Sequence, residues 1–135
     1  MINAVYIDDE ADTQAMASRF EDLAEVGINI IPIVSVVDCL DILKPVAPTA
    51  HVIVLDQIMP PMGRYSLNET AGGTTTGLSL LREIRKLYPS LPVVILSVSD
   101  APPESLCQEL GILAFLKKPV ALDTLAATIR KAARK

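Results

Sequence analysis

The chain has no tryptophan, and its two phenylalanines and three tyrosines bring the aromatic fraction to only 4%. With half of the 135 residues hydrophobic, a core without large rings must be filled by Val, Ile, Leu and Ala. That is the composition of layered α/β packing. Cysteine is almost absent: Cys39 and Cys107 stand far apart in apolar surroundings, which excludes a disulfide framework and reads as two buried, reduced thiols in a cytoplasmic protein. Basic charge is also in deficit. Twelve Lys and Arg against 16 Asp and Glu give a net charge of −4, which excludes direct nucleic acid binding by this domain, because phosphate contacts need a basic face. The one basic cluster, Arg130, Lys131, Arg134 and Lys135, closes the last helix and complements its macrodipole. No apolar run reaches membrane length and the first residues, MINAVYIDDE, have no basic leader, so neither a membrane span nor secretion is expected. The Asn68, Glu69, Thr70 sequon then carries no meaning. The single histidine, His51, stands just before a strand and is expected to be a surface or strand-start residue, not a ligand or phosphodonor.

What the chain does have is organised around HVIVLDQIMPPMG, residues 51–63. Val52 to Leu55 form a short continuous apolar run, as a strand buried on both faces of a parallel sheet requires. Asp56 ends the run, and Pro60 and Pro61 forbid its continuation. Around this centre the periodicity changes regularly. A first strand over 2–7 ends in Asp8, Asp9 and Glu10; a helix follows with Met16, Phe20, Leu23 and Ala24 on one face, and Gly27 stops it. The β-branched stretch 28–37 reads as a second strand, with Pro32 marking it as an edge. Asp38 is placed to cap a helix through about Leu43, which Pro45 and Pro48 close. Residues 57–76 have no periodicity and read as a loop, after which Thr76 is placed to cap a helix carrying Leu80, Leu81, Ile84 and Leu87. A fourth strand over 92–97, a helix opened by Asp100, Pro102 and Pro103 and closed by Gly111, a fifth strand over 112–116, and a last helix carrying Leu122, Leu125, Ala126 and Ile129 complete the chain.

Five strands alternating with five helices predict one domain over residues 1–135, an α/β sandwich whose parallel sheet is covered on both sides. In the flavodoxin-like doubly wound order, 2-1-3-4-5, strands one and three lie side by side at the switch point, where such sheets hold ligands. This brings Asp8, Asp9 and Asp56 together. Converging carboxylates raise one another's pKa unless a cation sits among them, and a hard divalent ion such as Mg²⁺ suits all-oxygen ligands. Ser97 and Lys118, at the ends of strands four and five, direct a hydroxyl and an ammonium into the same crevice, which has the make-up of a phosphoryl cradle in which an aspartate is the nucleophile.

With these residues in these places the chain resembles the receiver domain of bacterial two-component response regulators. The marks are Asp8 and Asp9 after the first strand, D56QIMP60 after the third, Ser97 after the fourth, and Lys118 before Pro119 after the fifth. The resemblance spans essentially the whole chain. It implies that Asp56 is the phosphoacceptor, Asp9 a direct Mg²⁺ ligand, Asp8 a ligand through water, and Ile58 a ligand through its backbone carbonyl. It further implies that Ser97 and Lys118 hold the phosphoryl oxygens, that Ser97 and Phe115 form the switch pair, and that the Lys118–Pro119 bond is a candidate cis peptide. The function implied is a signalling receiver, not an enzyme acting on a separate substrate. A histidine kinase or histidine phosphotransfer protein would donate the phosphoryl group, and a downstream effector protein or domain would read a surface near the fourth helix, fifth strand and fifth helix. The same face is a candidate homodimer surface. The alternative is a pseudo-receiver, a phosphorylation-independent interaction module, against which the full set of acids, Ser and Lys argues; a metal-dependent phosphohydrolase would need a spaced acid pair where this chain has adjacent aspartates. The chain departs from the family pattern twice. GRYSLNETAGGTT, residues 63–75, stands as an inserted loop between the third strand and third helix, either a tolerated surface insertion or a lid or partner contact. Val98 follows Ser97 where many receivers have Ala or Gly, and its branched side chain is expected to border the approach to Asp56.

Overall fold

In the computed structural model, which describes residues 1–134, five parallel strands form one sheet: β1 (Ile2–Ile7), β2 (Ile28–Ile33), β3 (Val52–Asp56), β4 (Val93–Ser97) and β5 (Ile112–Lys117). Their order is β2-β1-β3-β4-β5, the flavodoxin-like order expected from the alternation of elements. Helices α1 (Gln14–Glu25), α2 (Cys39–Val46), α3 (Thr76–Leu87) and α4 (Glu104–Leu110) make the crossovers, and α5 (Leu122–Ala133) follows the last strand. The sheet's two-residue period sorts its side chains into two cores. Val5, Ile7, Ile53, Leu55, Val93 and Ile95 pack with Leu43 of α2, Leu80, Leu81 and Ile84 of α3, and Leu110 of α4. Ala4, Tyr6, Val52, Val54, Val94 and Leu96 pack with Leu23 of α1 and Leu125 and Ile129 of α5. Burial of each large aliphatic side chain contributes about 1.5–3 kcal/mol, and Tyr6 adds an edge-to-face contact with Phe20, ring centroids 5.0 Å apart, that seats α1. All five residues of β3 are buried, as a central strand covered on both faces must be.

Several boundaries differ from the sequence reading. β2 stops at Ile33 instead of continuing to 37, because its one neighbour β1 ends at Ile7, which pairs with Ile33; residues beyond have no ladder partner. Asp38 stands at the cap of α2 without capping through its side chain. Instead the Ser35 hydroxyl oxygen accepts from the Asp38 N–H at 3.0 Å. α2 also runs past Leu43 to Val46, taking in Pro45, whose missing N–H in the final turn removes a single helical bond. Thr76 is the first residue of α3, and Thr75 holds the cap position; the Thr76 hydroxyl donates back to Gly73 O at 3.2 Å. Of the two thiols expected to be buried, Cys39 is and Cys107 is only half-buried, because α4 buries Leu110 alone.

Two features fix segments that lead out of and into the strands, the first beyond the carboxyl end of β3 and the second before the amino ends of β4 and β5. Residues 63–75, which show no apolar periodicity, are nonetheless docked. Arg64 pairs with Glu83 of α3 at 3.0 Å and donates to Val37 O at 2.9 Å, the Tyr65 hydroxyl donates to the same Glu83 carboxylate, and the Tyr65 ring packs on the core while Thr70 is fully buried. On the far side of α3, the Arg85 guanidinium donates to four backbone carbonyls, those of Tyr88, Leu91, Leu110 and Gly111. It thereby ties α3 to the lead-in of β4 and to the corner where α4 turns into β5. Gly111 makes that corner in the left-handed conformation, φ 66°.

Candidate functional site

The site is assembled from residues at the carboxyl ends of β1, β3 and β5. Asp8 follows β1 directly, Asp56 is the last residue of β3, and Lys118 follows β5. Parallel pairing of β1 with β3 sets Ile7 opposite Leu55, so Asp8 and Asp56 emerge side by side. Lys118 enters from the other flank. Its Nζ lies 3.1 Å from Asp8 Oδ2 and 3.4 Å from Asp56 Oδ2, its backbone N–H donates to Ser97 O at 2.7 Å, and the bond to Pro119 is cis. Asp8, Asp9 and Asp56 each place one carboxylate oxygen within 4.8 Å of the others. Backbone donors also hold two of these carboxylates: Asp8 Oδ1 accepts from the Glu10 N–H at 3.0 Å and Asp56 Oδ1 from the Ile58 N–H at 3.1 Å. The crevice above these groups, about 280 Å³, is lined by Asp9, Glu10, Asp56, Ile58, Pro60, Val98 and Lys118.

Close approach of α3 completes the floor. Gly77 N–H donates to Gln57 O at 2.9 Å, and a Cβ at Gly77 would lie 2.2 Å from Asp56 O. Only glycine lets the helix start this near the strand end.

Three carboxylates against one ammonium leave the site with surplus negative charge. Burial pushes the Asp56 carboxyl up to about 6, and the neighbouring Asp8 adds to this, while Lys118 offsets only part. Asp9 is likewise held above the ordinary carboxylate range by its burial and by Asp8. Lys118 is pulled down by burial, but Asp56 and Asp8 outweigh this and leave it above the usual lysine value. Clustered oxygen donors with uncompensated charge fit a small hard cation such as Mg²⁺, which takes carboxylates together with water and phosphate oxygens.

The structure does not bring every named residue into the crevice. Ser97 ends β4 fully buried, and its hydroxyl faces Ser99, Oγ to Oγ 3.1 Å, with the Ser99 N–H also directed at it at 3.3 Å. Phe115 lies on β5, half-buried against the core shared with α3 and α4. Val98 is 60% exposed at the crevice mouth. His51 sits at the opposite end of the sheet, where its Nδ1 accepts from the Asn3 N–H at 2.9 Å. Gln57 and Ser99 went unnoticed in the sequence reading. The available signal was their position, one residue past Asp56 and two past Ser97, where a residue leaving a buried strand end remains close to the site.

No protein-family model matches the chain, and no curated protein matches it. Solved structures do. A response regulator receiver domain protein from Clostridium thermocellum superposes with a TM-score of 0.74 at 25% identity, over 99% of this chain and 95% of that one. The chain has the fold of a response-regulator receiver domain. Similar receiver domains include that of the Francisella response regulator 1452, with a TM-score of 0.73, 24% identity and 99% and 98% coverage of the two chains. The BeF3-activated DrrB receiver domain matches with a TM-score of 0.68, 20% identity and 100% and 99% coverage. Among the described residues, no helix is long and apolar enough to cross a membrane.

Proposed function

We propose that this receiver domain is a phosphorylation-dependent switch in which Asp56 accepts a phosphoryl group from a phosphohistidine on a histidine kinase or phosphotransfer protein. The observation that carries the reading is the position of Asp56, a buried carboxylate at the floor of an open crevice, 3.4 Å from the Lys118 ammonium and grouped with two further acids. With its proton affinity raised only to about 6, Asp56 is still predominantly ionised at neutral pH and available as a nucleophile. One oxygen of its carboxylate attacks phosphorus while the donor's N–P bond breaks, the bonding pair staying on the imidazole nitrogen. Lys118 then faces the new acyl phosphate and neutralises part of its charge. Asp9 and Asp56, with the Ile58 carbonyl and Asp8 through water, would hold Mg²⁺, which when bound supplies further charge neutralisation on the phosphoryl oxygens. In this reading the protein catalyses only its own phosphorylation and dephosphorylation. Ser97 and Phe115 transmit the change to the face of α4, β5 and α5, where an effector or a second copy docks. α4 suits that role: it has seven residues and buries only one of them, so little packing resists its displacement.

The test is incubation with acetyl phosphate and Mg²⁺ followed by intact mass. One added phosphoryl group is expected on the parent and none on Asp56→Asn. Equal labelling of the two would remove Asp56 from its role.

A further inference from the structure

Ser97 is held in a second hydrogen-bonded set that the transfer chemistry does not use. Ser97 Oγ lies 3.1 Å from Ser99 Oγ and accepts from the Ser99 N–H at 3.3 Å, and Ser99 Oγ accepts from Gln57 Nε2 at 3.2 Å. Gln57 is 6% exposed and its backbone carbonyl is fixed by the Gly77 N–H at the start of α3. Its other amide atom, Oε1, is buried without a hydrogen-bond partner. A hydroxyl has one proton and two acceptor positions, so a Ser97 proton directed at Ser99 is not directed at a phosphoryl oxygen. The orphaned Oε1 gives this set a second arrangement. A half-turn of the Gln57 amide exchanges its oxygen and nitrogen, which offers Ser99 an acceptor for its own proton and leaves Ser99 Oγ to accept the Ser97 proton.

We propose that Ser99 and Gln57 are positioning residues that hold the Ser97 hydroxyl away from the phosphoryl site in the resting protein, and that phosphorylation must break this hold to recruit Ser97. The proposal rests on the phosphoacceptor reading of Asp56. The set competes with the phosphoryl group for one hydroxyl, so loss of the Ser99 hydroxyl should favour the phosphorylated arrangement by about fivefold, the ordinary net worth of one hydrogen bond.

The experiment is a titration with beryllofluoride at saturating Mg²⁺, read from amide NMR shifts, on the parent, Ser99→Ala, Ser99→Thr, Ser97→Ala and the Ser97→Ala/Ser99→Ala double variant. Ser99→Ala should bind about fivefold tighter than the parent and Ser99→Thr, which keeps the hydroxyl, should return to the parent value. In the Ser97→Ala background the Ser99 substitution should change nothing, an outcome that a general loosening of the loop would not give. Unchanged affinity in Ser99→Ala, or the same gain with Ser97 already removed, overturns the proposal while leaving Asp56 as acceptor. A parent that does not respond to beryllofluoride at all overturns the phosphoacceptor reading and this proposal with it.

Discussion

Replacing Asp56 by Asn should make the metal-free protein more stable while abolishing its chemistry. A carboxyl whose pKa rises from its ordinary 3.8 to about 6 in the folded chain destabilises the ionised native state by about 3 kcal/mol, at 1.36 kcal/mol per tenfold change in proton affinity. The sign follows from proton uptake. Between about pH 4 and pH 6 the native state binds more protons at this site than the unfolded state, so the parent loses stability as pH rises through that window and is flat above it. Asn carries no charge to desolvate, but its amide brings two hydrogens that need acceptors, and Lys118 loses one of its two carboxylate partners; these losses offset about 1 kcal/mol. A net gain of about 1–2 kcal/mol is expected at pH 7.5 in EDTA, which for a chain of this length raises Tm by about 3–8 °C. The difference should shrink as the pH is lowered and reach zero at about pH 4.5, where the remaining charge cost equals the offset of about 1 kcal/mol. Thermal unfolding followed by circular dichroism at several pH values measures it. An Asn variant that is equally or less stable at pH 7.5, or a difference that does not depend on pH, would refute the claim that burial of the Asp56 charge strains this site.

Three further outcomes are expected. Mg²⁺ at a hundred times its dissociation constant should stabilise the parent by about 2.7 kcal/mol, and Asp9→Asn should weaken that binding more than Asp8→Asn, since Asp8 is already engaged by Lys118 and the Glu10 N–H; equal weakening in a thermal-shift titration counts against the assigned roles. Val98 lines the crevice with Asp56 and Lys118, so Val98→Ala should speed loss of the phosphoryl group about tenfold if about 1.4 kcal/mol of the barrier to water is steric, and unchanged decay by intact mass after donor removal would clear Val98 of that role. Gly77→Ala forces a methyl group into the Asp56 carbonyl and the Gln57 Cα, 2.2 and 2.8 Å away; both are backbone atoms that cannot swing aside. A loss of about 1–3 kcal/mol together with impaired labelling of Asp56 is expected, and a variant with the parent's Tm would show that α3 can shift at no cost.

The sheet was legible in the sequence because buried parallel strands write themselves as unbroken apolar runs, and Val52 to Leu55 or Val93 to Leu96 admit few other readings. The strand order followed from the alternation of elements, and with it the meeting of Asp8, Asp9, Asp56 and Lys118, since each stands where an apolar run stops. What stayed illegible depended on partners distant in sequence. β2 was read too long because the end of a strand is set by its neighbour's length, not by its own β-branched content. The docking of residues 63–75 rests on Arg64 and Tyr65 meeting Glu83, a contact with no periodic signature. The hydrogen-bonded set of Gln57, Ser99 and Ser97 joins two loops 42 residues apart, and polar residues in loops read as solvated until a structure shows them buried.

The guanidinium of Arg85 has a mechanical consequence for α4. It grips the carbonyls of Leu110 and Gly111 at the carboxyl end of α4, beside the helix's one buried side chain, while the opposite end begins at Pro103, which is exposed and caps nothing through its side chain. The helix is therefore clamped at one end like a lever on a fulcrum. Any displacement of residues 98–103 would act on that free end, and the attachment permits a swing about Arg85 in which the tip travels furthest and the β5 corner stays put.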